Sequence, residues 1–215
     1  MKVFGWVGGL LEVVCFMMIF KNIIEFNLEL QELNPIVSHW LGFTVLTGFW
    51  ELVYISNRVE INTYSNILVL NDKSVWTNKY DISMVLPWKL ARLFYAEYGA
   101  WADREYKSNS DDWSLTVEGS HCGMCGFFSL IALWSQASSD FDNYYLAMAV
   151  AMGSQFMNSL LYMISYFNQV HNKHNVNYDR PDFPSGKHLL ARPFMYINYL
   201  WLLFPAYAIL HYVEI

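Results

Sequence analysis

Glu118 lies inside an otherwise apolar run from Leu115 to Trp134. A carboxylate at membrane depth costs on the order of 3 kcal/mol or more unless it is paired or used, so it marks a functional site by default. A second acid, Glu51, is flanked by Phe49, Trp50, Leu52 and Val53, with Tyr54 three positions later. A carboxyl group kept dry favours its protonated form, the state a general acid needs to protonate an alkene or epoxide. Two acids around one cavity also push each other's titrations apart, leaving one acid and one base. His121 follows Glu118 at helical spacing and shares its face. Asn198 and Trp201 form a second such pair, and Gln155 and Tyr162, two turns apart, complete a polar lining. A Trp face beside two acids stabilises a passing cation, while an amide orients an acid or a substrate hydroxyl. Glu12 is a weaker candidate, for which a structural bond to a neighbouring helix is as well motivated.

Other chemistry has little support. Cys122 and Cys125 make a lone Cys-x-x-Cys with no second ligand group of matching spacing, so the thiols are expected to pack and no metal is expected. Nothing is patterned to bind nucleotide or phosphate, and the expected chemistry needs no cofactor. The net charge of -6, without a basic run, argues against nucleic acid as a partner. All three cysteines fall in apolar stretches, which implies no secreted disulfide framework.

These side chains need helices to hold them. With 55% hydrophobic and 15% charged residues over 215 positions, the chain carries more apolar material than a water-soluble core of its size can hide. Five segments meet the length of a spanning helix: Val3 to Phe20, His39 to Ile55, Thr116 to Trp134, Tyr144 to Phe167 and Phe194 to His211. The first lacks a small-x-small cleavage site and is expected to be a mature span. Five spans cannot close a barrel, so the expected fold is all-α: one polytopic membrane domain, a bundle of five transmembrane helices. Glycines and serines such as Gly8, Gly119, Gly126 and Ser129 would let the helices approach closely. Asn34-Pro35 should break the chain before the second span, and the stretch Arg180 to Gly186 should turn it before the fifth. Within the polar segment Ser56 to Asp112, Pro87 to Tyr106 has helical spacing and reads either as an amphipathic interfacial helix or as an ordinary loop helix. With this topology every one of the 13 Lys and Arg residues except Lys21 falls on one side, which the positive-inside rule makes cytosolic.

Taken together, the pieces resemble the emopamil-binding protein family, whose shared unit is the EXPERA domain. The resemblance runs from about Gly42 to Pro205. It is carried by Ala96-Glu97-Tyr98-Gly99 and Ala102-Asp103-Arg104-Glu105-Tyr106, by Thr116-Val117-Glu118-Gly119, by Gln155 with Leu161-Tyr162, and by Asn198-Tyr199-Leu200-Trp201 with Pro205. The founding member is a sterol isomerase that moves a ring double bond through a carbocation-like intermediate. By resemblance, Glu118 is a catalytic glutamate, Asn198 a polar site residue and Trp201 the aromatic that faces the cation. The pattern departs where the family has His and, four residues later, Glu: here Glu51 and Ile55 stand, and His121 replaces a hydroxyl residue. The expectation is therefore a membrane isomerase or cyclase acting on a hydrophobic polycyclic, terpenoid or sterol-like substrate, with Glu118, Glu51 and His121 catalytic. Trp201, Asn198, Gln155, Tyr162, Trp50 and Tyr54 would bind the substrate. The alternative is a non-catalytic sterol- or lipid-binding protein of the same family. Expected partners are the lipid bilayer and that hydrophobic small molecule; a homodimer stays open. Family members reside in the endoplasmic reticulum, which the resemblance extends to this chain.

Overall fold

The structure, a computed structural model, describes residues 1–101, 112–171 and 194–213. The turn expected at Arg180 to Gly186, residues 102–106 of the family-like stretch and the side chain of Glu118 lie outside the described residues. The chain is mostly helical: α1 (Gly5–Glu25), the single turn α2 (Leu28–Gln31), α3 (Pro35–Leu70), α4 (Pro87–Trp101), α5 (Asp112–Ala137), α6 (Phe141–His171), α7 (Phe194–Asn198) and α8 (Leu200–Val213). Two short strands, β1 (Lys2–Phe4) and β2 (Lys79–Asp81), pair antiparallel with Val3 opposite Tyr80. Among the described residues, three helices are long and apolar enough to cross a membrane: α1, α3 and Phe141–Ile164 of α6.

Local chemistry explains the main breaks. Asn34 caps α3, its side-chain oxygen accepting from the amides of Ile36 at 2.9 Å and Val37 at 3.4 Å, with Pro35 in the first helical turn. The sequence placed the end of this span at Ile55; the helix instead continues to Leu70, interrupted at Asn57, whose backbone leaves helical values (φ -126°, ψ 17°). There the Asn57 amide turns back on the Val53 carbonyl at 2.8 Å, and its oxygen accepts from Arg92. A polar side chain that competes for backbone groups in this way bends a helix without ending it. The first helix likewise differs from the apolar stretch in its start. Lys2 to Phe4 are strand, because the main chain finds a partner in β2, and the helix begins only at Gly5.

Packing around α3 positions the site. α3 and α5 meet where Gly48 faces Gly126; a Cβ on Gly48 would stand 2.9 Å from the Gly126 Cα and 3.0 Å from the Cys122 carbonyl oxygen. Only small residues permit backbones this close. α4 lies along the other side of α3, burying Leu90, Ala91, Tyr95 and Ala96. Arg92 ties the two helices at their polar edge, reaching Glu60 at 2.6 Å. Glu97, part of the family-like stretch, is buried. It accepts from the Ser74 hydroxyl and the Val75 amide, both at 2.7 Å. Burial nonetheless pushes the Glu97 carboxyl above its ordinary range, more than those bonds pull it down.

Two outcomes follow. Gly48→Leu should overpack the α3–α5 contact and cost about 1–3 kcal/mol, read as a lower melting temperature of the purified protein in detergent. Because the Glu97 carboxyl is raised in the folded state, its contribution to stability is complete below the ordinary carboxylate range. It is lost as pH rises through the raised value, so melting temperature should fall with increasing pH, and the fall should flatten in Glu97→Gln.

Candidate functional site

A cavity of about 450 Å³ opens between α1, α3, α4, α5, α6 and the α7–α8 turn. That volume lies within the range of small-molecule sites. Glu51 stands on its α3 wall with a relative exposure of 1%, and the Tyr95 hydroxyl of α4 donates to its Oε2. On α5, one helix across, His121 and Cys122 reach the same space. Trp50, Trp201, Gln155, Tyr162 and Asn198 line it too, so the structure brings seven of the nine residues expected at the site around one hollow.

The other two are placed differently. Tyr54 is not among the described lining residues: it sits on the α4 side of α3, its ring 4.9 Å from that of Tyr95, and it backs the wall that Glu51 faces. Glu118 belongs to α5 one turn before His121 and Cys122, and its side chain lies outside the described residues.

Each polar group has a definite chemical state available to it. His121 Nε2 lies 2.9 Å from the Ser154 carbonyl of α6 and 3.4 Å from the Cys125 sulfur. A carbonyl only accepts, so Nε2 carries the hydrogen, and a neutral imidazole keeps its lone pair on Nδ1. Nδ1 is buried and has no hydrogen-bond partner among the described residues. Gln155 is held from both sides: its Oε1 accepts from Trp40 Nε1 at 2.7 Å, and its Nε2 donates to Thr44 Oγ1 at 3.3 Å. Trp40 in turn meets the Trp201 ring edge-to-face, centroids 5.4 Å apart, and stacks on Phe204 at 4.6 Å. The Gln155 amide therefore sets the attitude of the indole that faces the cavity from α8. Behind the Trp50 ring Glu12, buried at 3% exposure, accepts from Trp50 Nε1 at 2.9 Å. Glu12 thus acts as a partner for a neighbouring helix and not as a lining acid.

Sequence reasoning missed Tyr95, Asn158 and the aromatic face made by Trp6, Trp76 and Phe94. Tyr95 carried a signal, since it shares a helical face with Ala91 and Tyr98, but nothing in the spacing tied that face to Glu51. Among the described residues no cluster of three His, Cys, Asp or Glu is arranged to hold a metal ion. No family model, curated protein or solved structure matches the chain.

The arrangement sets a carboxyl group and an imidazole on two helices around a largely aromatic hollow. Gln155→Leu removes the partner of a buried indole N–H and should cost about 1–3 kcal/mol of stability. A shifted tryptophan emission maximum should accompany the lower melting temperature, because Trp40 and Trp201 lose their fixed orientation.

Proposed function

We propose that the chain is an integral membrane isomerase or cyclase that protonates a hydrophobic polycyclic, terpenoid or sterol-like substrate and removes a proton from the resulting carbocation. The observation that carries this reading is Glu51, buried and hydrogen-bonded by Tyr95, on the wall of an aromatic cavity that also holds His121.

In the forward step the Glu51 O–H breaks and its proton passes either to an alkene carbon, the π pair forming the C–H bond, or to an epoxide oxygen, whose lone pair forms the O–H bond while the C–O pair returns to oxygen and leaves the cationic carbon. Tyr95 donates to the carboxylate left behind, which stabilises it as charge develops. The cationic carbon then lies among Trp50, Phe94 and Trp201, whose ring faces carry negative charge density. Loss of a proton from a neighbouring carbon restores the alkene, and the base is assigned to α5, on which His121 lines the same cavity. Glu118 remains the second carboxyl candidate, by its place on α5 and by the family resemblance. The exchange is proton in, proton out, and balances without a redox partner.

The reading extends to a bundle of five spans. Besides the three apolar helices, α5 and the pair α7–α8 cover the third and fifth stretches, and α4 is read as an interfacial helix packed on α3. The β1–β2 pairing supports this topology, since it holds the amino terminus and the segment after α3 on the same side. Residence in the endoplasmic reticulum is proposed on the resemblance alone.

The test is turnover in microsomes supplied with candidate alkenes and epoxides. Glu51→Gln should lower the rate by a factor of about 100 to 10,000, the usual contribution of a positioned acid. Tyr95→Phe should fall between that variant and the parent, with kcat rather than KM reduced. Undiminished conversion by both Glu51→Gln and Glu118→Gln removes the mechanism, and no conversion by the parent protein above that of microsomes lacking it leaves a lipid-binding protein.

A further inference from the structure

The α6 wall of the cavity is polar along a single face. Gln155, Asn158, Ser159 and Tyr162 stand at i, i+3, i+4 and i+7, and all four line the cavity. Met157, Leu161 and Ile164, on other faces of the same stretch, point outward and exposed, as lipid-facing residues do. A polar row of this kind on an otherwise apolar membrane helix is expensive to keep and marks a ligand path.

The row is not used up by the protein. Gln155 is committed to Trp40 and Thr44, and Tyr162 has an interaction of its own. Asn158 and Ser159 are half-buried, and neither side chain hydrogen-bonds to any group among the described residues. Between them they offer amide and hydroxyl donors together with oxygen acceptors. Across the cavity, Leu10 and Val13 of α1 and Leu90 and Phe94 of α4 offer only hydrocarbon. The hollow therefore has a polar wall on α6 and an apolar one made by α1 with Leu90 and Phe94 of α4, where the Tyr95 hydroxyl is committed to Glu51; Glu51 and His121 stand on α3 and α5.

We infer that Asn158 and Ser159 form an oxygen-binding subsite for an amphiphilic lipid. Its hydroxyl or carbonyl oxygen pairs with these two side chains, and its hydrocarbon body lies against the α1–α4 wall. The subsite deepens the proposed function, because anchoring one end of the molecule decides which carbon meets Glu51. It stands on binding, not on turnover. Neither side chain takes part in the proton transfer, so both are positioning residues. A site built to bond an oxygen rejects the analogue that lacks one, because its own polar groups are then left dry.

Matched probes test this with the purified full-length protein in lipid nanodiscs. Cholestanol is compared with cholestane, and geranylgeraniol with its deoxygenated hydrocarbon, by the change in intrinsic tryptophan fluorescence. In at least one pair the alcohol should act at a concentration about tenfold or more lower than the hydrocarbon. The ratio should shrink toward one in Asn158→Leu/Ser159→Ala, while the hydrocarbon response stays unchanged. Equal responses within both pairs, no response to any of the four probes, or a preference that survives the double variant would each overturn the subsite. If the double variant does not fold, the wild-type ratio together with single Asn158→Ala and Ser159→Ala variants decides. Glu51→Gln separates the two readings. It should keep the alcohol preference while losing conversion, and full conversion with the preference intact strikes the catalytic reading alone.

Discussion

A carboxyl group buried on a long apolar helix has to be met by a polar group from another element, and for Glu51 the Tyr95 hydroxyl is such a group. Much of the molecule is arranged so that this contact can form. α4 must lie flush on α3, which requires the small buried residues Ala91 and Ala96 on its inner face and the Arg92 bridge to Glu60 at its edge. The bend at Asn57 changes the course of α3 just beyond Glu51 and supplies a second acceptor for Arg92. Gly48 and Gly126 bring α5 against the opposite side, which carries His121 to the same hollow.

The cavity's aromatic rings are held by polar bonds made behind them. Trp50 is fixed by Glu12, and Trp201 is steadied through Trp40 by Gln155. The Trp50 N–H is thereby spent on Glu12 and the Trp40 N–H on Gln155. Were those N–H groups to point inward, they would present positive density to a cation and favour water instead. Buried polar residues that look catalytic in a membrane sequence can serve in this way as mounts for the groups that touch the substrate.

The helical class was legible because apolar stretches of sufficient length leave few alternatives in lipid. The same pattern gave no sign that the second helix runs on past Ile55 to Leu70. Polar residues from Ser56 onward suggest a loop, yet once α4 covers them Ile61, Ser65 and Leu68 are buried and the helix persists. Hydropathy measures what faces lipid, and it is blind to a helix buried against another helix. Glu51, His121 and Trp201 could be picked out since polar or aromatic groups at depth are conspicuous one residue at a time. Tyr95 could not, because its meaning depends on a partner 44 positions away in sequence. Tyr54, chosen for its nearness to Glu51 in sequence, is offset from it by about 60° around the helix axis and packs on the Tyr95 ring instead.

The strand at the amino terminus ties the first residues of the chain to the segment that follows α3, with Lys2 opposite Asp81 and the Ile82 amide on the Met1 carbonyl at 2.9 Å. During synthesis the first strand leaves the ribosome long before the second exists. At roughly 5–20 residues per second it waits on the order of 4–16 seconds for its match. Over that interval α1 is already made and apolar enough to enter a bilayer, but lacks the clasp that fixes its depth and rotation. The wall it gives the cavity is therefore set late, when β2 arrives and closes the ribbon.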